Sequence, residues 1–189
     1  MFSGFSVECY SYMSKLIIVS GVPGSGKTTF SEKIAFFYHR HVQDYRKNAL
    51  NVVSSDILRE EIAGSRQNHE HEEEVWEKFY RLPFEYLAKY TTNTITILDA
   101  THITIKKRLE VAQQYESVYD EVILVQFTFN TGSILEINKT RKHAIPHDVL
   151  VGFCECFEKL SEEEMSTYNY FIVTKNKYNE SLFREILEI

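Results

Sequence analysis

"SGVPGSGKTTF", residues 20–30, sets three glycines and a proline between an apolar run and a helical pattern. The spacing is Gly21-x-x-x-x-Gly26-Lys27-Thr28, directly after the candidate strand "KLIIVS" (15–20) and directly before a helix-period segment (27–40). That is the context a P-loop requires. Glycines let the backbone turn several N–H groups toward phosphate oxygens, and the positive end of the following helix dipole adds to the attraction. The stretch therefore predicts a nucleotide cradle built from Val22, Pro23, Gly24, Ser25, Gly26, Lys27, Thr28 and Thr29. Lys27 is expected to reach the β- and γ-phosphates, and the Thr28 hydroxyl to ligate magnesium. The blander alternative, a glycine-rich turn that only joins strand to helix, leaves the Lys-Thr pair without a reason.

Outward from the cradle, short apolar runs alternate with helical patterns. Candidate strands are 15–20, 49–55, 94–99, 121–129 and 170–174; candidate helices are 27–40, 56–63, 70–91, 104–116, 132–142, 147–160 and 180–188. Buried strands rich in Ile, Val and Leu, separated by helices, predict an α/β fold with a parallel sheet covered on both faces. Pro83 is expected to kink or divide the segment 70–91 near Leu82, and the polar stretch "SEEEMST" (161–167) reads as a loop.

With 189 residues, 43% hydrophobic, the chain holds enough apolar material for one well-filled core, so residues 13–189 are read as a single domain. Residues 1–12 read as an N-terminal extension outside the folded body, to be refuted if Phe2 and Phe5 pack. The net charge of −6 argues against a protein that binds phosphate polymers through overall charge, so any nucleic-acid contact must be local. Cys9, Cys154 and Cys156 lack the paired spacing of a zinc site or disulfide framework, which fits a reducing cytoplasmic setting. The apolar run 16–19 is too short to span a bilayer, and the first twelve residues lack a secretory pattern, so no membrane association is expected.

Ligands of open parallel sheets gather at the carboxyl ends of the strands. Asp56 and Asp99 fall there. Phosphoryl transfer to an alcohol needs a base for the hydroxyl proton and a carboxylate for magnesium or its water shell, so Asp56 takes the first role and Asp99 the second. A helix N-cap is the competing reading of Asp56. Arg59 is a candidate partner for a substrate phosphate or carboxylate, against a surface ion pair with Glu60 or Glu61. Trp76, Phe79, Tyr80 and Phe84 form a helical stripe that reads as core unless one of them faces the acceptor cleft. His69 and His71 sit in an acidic run, "NHEHEEE", whose geometry nothing constrains, and a metal cluster there is discounted.

The segments "GVPGSGKTT", "SSDILREEI", "LDATHITIKKR" and "NKTRKHAIPHDVL" occur in an order and spacing that resemble the polynucleotide-kinase-like branch of P-loop kinases. This branch includes the 5′-hydroxyl kinase domains of nucleic-acid repair enzymes and AAA-type predicted kinases. The resemblance covers about residues 15–160. It implies a P-loop NTPase three-layer sandwich with a sheet of the adenylate-kinase type and a helical lid, here about 132–146. It also implies ATP as donor with Mg2+ and a hydroxyl acceptor deprotonated at the position of Asp56. A lid arginine that stabilises the transferring phosphoryl group falls at Arg141, and electrostatics favours the same choice. The alternative for Lys139, Arg141, Lys142 and His143 is a solvated helix face. Thr101 and His102 match the acceptor-side segment, although asparagine is common at the place of His102, which otherwise reads as a loop-holding residue. Ile137 stands where the phage-type pattern carries a second lid arginine. The leading expectation is therefore an ATP-dependent kinase acting on a polynucleotide 5′-hydroxyl. Alternatives are a small-molecule kinase for a nucleoside, sugar or antibiotic alcohol, and an ATP-binding regulatory switch or ATPase.

Overall fold

The computed structural model describes residues 13–42, 48–90 and 93–189. The expectations about residues 1–12 and Cys9 lie outside the described residues. Five strands, β1 (Lys15–Ser20), β2 (Asn48–Ser54), β3 (Asn93–Asp99), β4 (Glu121–Thr128) and β5 (Asn169–Thr174), form one sheet in the order β2-β3-β1-β4-β5. Every pairing is parallel. Leu16 to Val19 are wholly buried, because β1 lies at the centre of the sheet with helices on both faces.

Two cores result. On one face Ile17, Val19, Ile97 and Val125 pack with Phe30, Ile34 and Phe37 of α1 (Lys27–His41) and Phe183 of α8 (Glu180–Leu187). On the other, Leu16, Ile18, Leu98 and Leu124 meet α2 (Ser55–Ala63), α3 (Glu72–Lys89) and α4 (Ile105–Tyr115). A third, smaller cluster joins Val22 of the glycine loop to Ile134 of α5 (Thr131–Lys139) and Leu150 of α6 (His147–Glu155). The α5–α6 region, expected to be the lid, therefore packs on the glycine loop through Val22.

One segment does not divide as one form of its reading allowed, and one stretch read as a loop is helical. Pro83 lies inside α3, which runs undivided from Glu72 to Lys89. The Pro83 carbonyl accepts from the Tyr119 hydroxyl at 3.0 Å, and Phe79 one turn earlier is completely buried, so tertiary packing holds the helix together across the missing N–H. The stretch taken for a loop contains α7 (Glu162–Thr167). Ser161 and Glu164 form a reciprocal capping box at its start, and a six-residue helix with that cap is too short to show a period.

Among the described residues, no helix is long and apolar enough to cross a membrane.

Candidate active site

The glycine loop is tied to its neighbours before it meets any ligand. Gly21 N donates to Thr101 O at 2.9 Å, Ser25 N to Val22 O at 3.1 Å, and the Ser20 hydroxyl to His102 O at 2.8 Å. Gly24 and Gly26 adopt φ values of +85° and +103°. An alanine at either position is strained, which is the local reason glycine stands there. Gly26 then serves as the cap of α1, whose first turn exposes free N–H groups to the cradle.

Lys27 is buried, and its ammonium donates to Gly21 O at 2.8 Å and Val22 O at 3.1 Å. Burial pulls its pKa down to about 8, opposed by the Asp99 and then the Asp56 carboxylate, with Arg141 adding to the decrease. Both strand-end aspartates and the lid arginine are thus within electrostatic reach of one ammonium. The sheet explains the aspartates. Ser54, Asp99 and Val19 stand in register across β2, β3 and β1, so the residues that follow emerge at one edge.

Asp99 is 4% exposed, and burial raises its pKa against the Lys27 ammonium and the Thr28 hydroxyl. Its Oδ2 atom is buried without a hydrogen-bond partner among the described residues, as are Ser25 Oγ and Arg141 Nη1. A hard cation beside Thr28 would satisfy the carboxylate, and phosphate oxygens would satisfy the hydroxyl and the guanidinium. The residues present therefore fit Mg2+ and a nucleoside polyphosphate. Arg141 Nη1 lies 3.9 Å from where a Cβ at Gly24 would stand, with Ile134 and Ile137 beside it at 3.8 and 4.0 Å. Ile137 accordingly gives the lid an apolar contact with the loop. Asn138 clasps the base of the lid, donating to Ile145 O at 2.7 Å and accepting from Ile145 N at 3.0 Å.

Asp56 lies in the first turn of α2, whose N-cap is Ser54, so it is not the capping residue. Its Oδ1 accepts from Arg59 Nη1 at 3.0 Å. Arg59 is 6% exposed and turns its other edge to Glu72 on α3. Glu72 also engages His69 Nδ1 at 2.7 Å and accepts from Trp76 Nε1 at 2.8 Å. The guanidinium, opposed by burial and aided by His69, holds the Glu72 carboxyl below the usual carboxylate range. Arg59 is thus neither on the surface nor paired with Glu60 or Glu61, which bind Arg66 and Lys78 instead.

Thr101 contributes its carbonyl to the anchoring of Gly21, and Thr29 is exposed on the first turn of α1. His102 is 3% exposed with a left-handed φ of 39°. Its Nδ1 lies 2.9 Å from Val19 O, so that nitrogen carries the proton, since a carbonyl only accepts. Burial pulls the imidazole down to about 4, which keeps it neutral at pH 7. The geometry is that of the loop-holding reading. Beneath it Arg108, fully buried, pairs with fully buried Glu164 and donates to the carbonyls of His102, Ile103, Glu158 and Lys159.

Residues 16–159 match the protein-family model AAA_33, described as an AAA domain. The chain belongs to this AAA domain family. Among solved structures it is similar to Chaetomium thermophilum Kti12 in complex with ADP-AlF3, at 17% identity and a TM-score of 0.67, covering 92% of this chain and 95% of that one. A sugar kinase from Janibacter matches at 19% identity and a TM-score of 0.59 over 93% of each chain. A gluconokinase from Sinorhizobium meliloti matches at 15% and 0.57 over 94% and 92%. These likenesses are of fold: a P-loop NTPase of the kinase-like type, with a parallel five-stranded sheet and flanking helices.

Four contacts of the site escaped the sequence reading, made by Glu72, Arg108, Glu164 and Lys175. Glu72 is hidden in an acidic run that reads as a first-turn preference. Arg108 closes the segment "LDATHITIKKR", but Glu164 lies 56 positions away and nothing in the sequence pairs the two. Lys175 donates to Gly24 O at 3.1 Å from the residue that follows β5. Its place at the carboxyl end of a parallel strand was the available signal.

Proposed function

We propose that this protein is an ATP-dependent kinase that transfers the γ-phosphoryl group to the hydroxyl of a small-molecule acceptor. The observation that carries the kinase reading is the glycine loop with Lys27 laid on its carbonyls, Arg141 Nη1 beside Gly24, and Asp99 in register with Ser54, two residues before Asp56, at the same sheet edge. Asp56 takes the acceptor hydroxyl proton as that oxygen bonds to the γ-phosphorus and the β–γ bridging bond breaks, releasing ADP. Lys27 and Arg141 neutralise the charge that builds on the phosphoryl and bridging oxygens. Thr28 and Asp99 would hold Mg2+, which would supply further neutralisation of phosphate charge. The backbone of residues 22–27 orients the donor.

The small acceptor is favoured over a polynucleotide 5′-hydroxyl because two basic residues near the site, Arg59 and Arg108, are committed to ion pairs inside the fold, and two surface lysines share one carboxylate. Arg59 is shared by Asp56 and Glu72, Arg108 is spent on Glu164, and Lys106 and Lys107 both lie beside Glu110. One observation supports the polynucleotide or nucleoside reading instead: Trp76 and Tyr80 stack at 5.8 Å, Lys107 sits 4.8 Å above the Tyr80 ring, and Trp76 bonds to Glu72 in the Asp56 network. A planar base has a platform of suitable chemistry there.

Labelled-ATP transfer to sugars, nucleosides and 5′-hydroxyl oligonucleotides, compared with Asp56→Asn, tests the assignment. Transfer to a small alcohol that Asp56→Asn abolishes while ATP still binds supports it. Transfer only to oligonucleotides replaces the acceptor, and hydrolysis without transfer replaces the kinase with an ATPase or switch.

A further inference from the structure

Lys175 stands beside the phosphate cradle with no role in any motif. It is placed with care by the fold. Thr174 at the end of β5 pairs its hydroxyl with that of Thr128 at 2.9 Å, and Lys177 N donates to Thr174 O at 2.9 Å, closing a turn. Three residues on, the Tyr178 ring packs edge-on against Phe30 of α1 at 5.3 Å and Phe127 of β4 at 6.4 Å, and against Phe183 of α8 at 5.8 Å. The segment carrying Lys175 is therefore locked to the same helix that begins with Lys27.

From this anchorage the side chain runs along the glycine loop. Its Cγ lies 3.0 Å, and its Cβ and Cδ 3.6 Å, from where a Cβ at Gly26 would stand. Gly26 thus serves both its own φ and the close passage of this stem. The ammonium ends on Gly24 O, a neutral acceptor, and no carboxylate among the described residues forms an ion pair with it. Lys27 likewise ends on two carbonyls, and Arg141 Nη1 has no partner. Three cations, none of them in an ion pair among the described residues, meet around residues 21–26 in a chain of net charge −6. A phosphate oxygen is a stronger acceptor for an ammonium than a carbonyl is.

We propose that Lys175 is a phosphate-binding residue for the nucleoside di- or triphosphate. It exchanges the Gly24 carbonyl for a phosphate oxygen, so that the nucleotide is clasped by Arg141 from the lid and by Lys175 from the segment after β5. The assignment rests on the nucleotide-binding reading of the P-loop and not on the identity of the acceptor.

The test is calorimetric titration of wild type, Lys175→Met and Lys175→Arg with Mg·ATP and Mg·ADP at low and moderate salt. Methionine keeps the stem and removes the charge. The expected result is affinity about tenfold weaker for both nucleotides in Lys175→Met, with a shallower salt dependence and recovery in Lys175→Arg. Affinities within about twofold of wild type in Lys175→Met overturn the proposal. So does a loss that Lys175→Arg does not restore and that accompanies a lower melting temperature without nucleotide, since Lys175 is then a structural clasp. Wild-type protein that binds no nucleotide overturns both this and the kinase reading. Wild type that binds ATP but phosphorylates no acceptor overturns the kinase reading alone, and the Lys175 comparison is still decided by its own affinities.

Discussion

Arg59 donates to Asp56 Oδ1 at 3.0 Å while its opposite edge is held by Glu72, so the side chain assigned as base is oriented by a helix that belongs to a different part of the chain. α2 carries the carboxylate and α3 the group that fixes its partner. Arg59 is a positioning residue in this arrangement. Arg59→Met is expected to lower kcat about tenfold to a hundredfold with the ATP Kd unchanged, whereas Asp56→Asn lowers it by about 10²–10⁴. An Arg59→Met enzyme with unaltered kcat and a raised acceptor KM would show that Arg59 binds substrate directly.

The depressed Lys27 pKa predicts a pH dependence of nucleotide binding. Below about 8 the ammonium is charged in the free protein. Phosphate raises its pKa, so between the free and bound values binding takes up a proton, and affinity falls as pH rises above about 8. Calorimetry in buffers of different ionisation enthalpy should show net proton uptake near pH 9 and none near pH 6.5. Lys27→Ala should abolish both the uptake and detectable Mg·ATP binding.

His102 is expected to stay neutral through the physiological range, because burial holds its pKa at about 4. Its imidazole resonances should not titrate between pH 5.5 and 8. A titration in that window would place the ring in contact with solvent or an acceptor site.

The Arg108–Glu164 pair has no exposure at either side chain and connects α4, α7 and the backbone of residues 102–103 and 158–159. Arg108→Met leaves the buried Glu164 carboxylate without its guanidinium and takes one donor from each of four carbonyls, which should destabilise the fold by about 3–5 kcal/mol in urea denaturation. Ser161→Ala removes only one half of the α7 capping box and should cost about 1 kcal/mol.

Phosphoryl transfer in the proposed reaction should depend on Arg141. Arg141→Ala is expected to lower kcat by about 10³-fold, as for an arginine that neutralises the transferring group, with ADP binding far less affected. Equal losses in ADP affinity and kcat would assign it to ground-state phosphate binding.

By itself the sequence determined the order of the strands and of every helix but α7, the glycine loop at residues 21–28 and the place of Asp56 and Asp99 beside strand ends, because these depend on neighbours along the chain: apolar periodicity, glycine torsions, and an acid at the close of an apolar run. Where periodicity was lacking or a local rule was overruled, reading failed. α7 was too short to show a period, and α3 passes through Pro83 because its packing compensates for a lost backbone bond. Only the tertiary structure decided that Arg59 faces Asp56 and Glu72, that Arg108 is buried against Glu164, and that Lys175 reaches Gly24 across 151 positions. A charge on a flexible stem has no sequence signature for its partner, since Coulomb attraction depends on distance in space and the fold alone sets that distance.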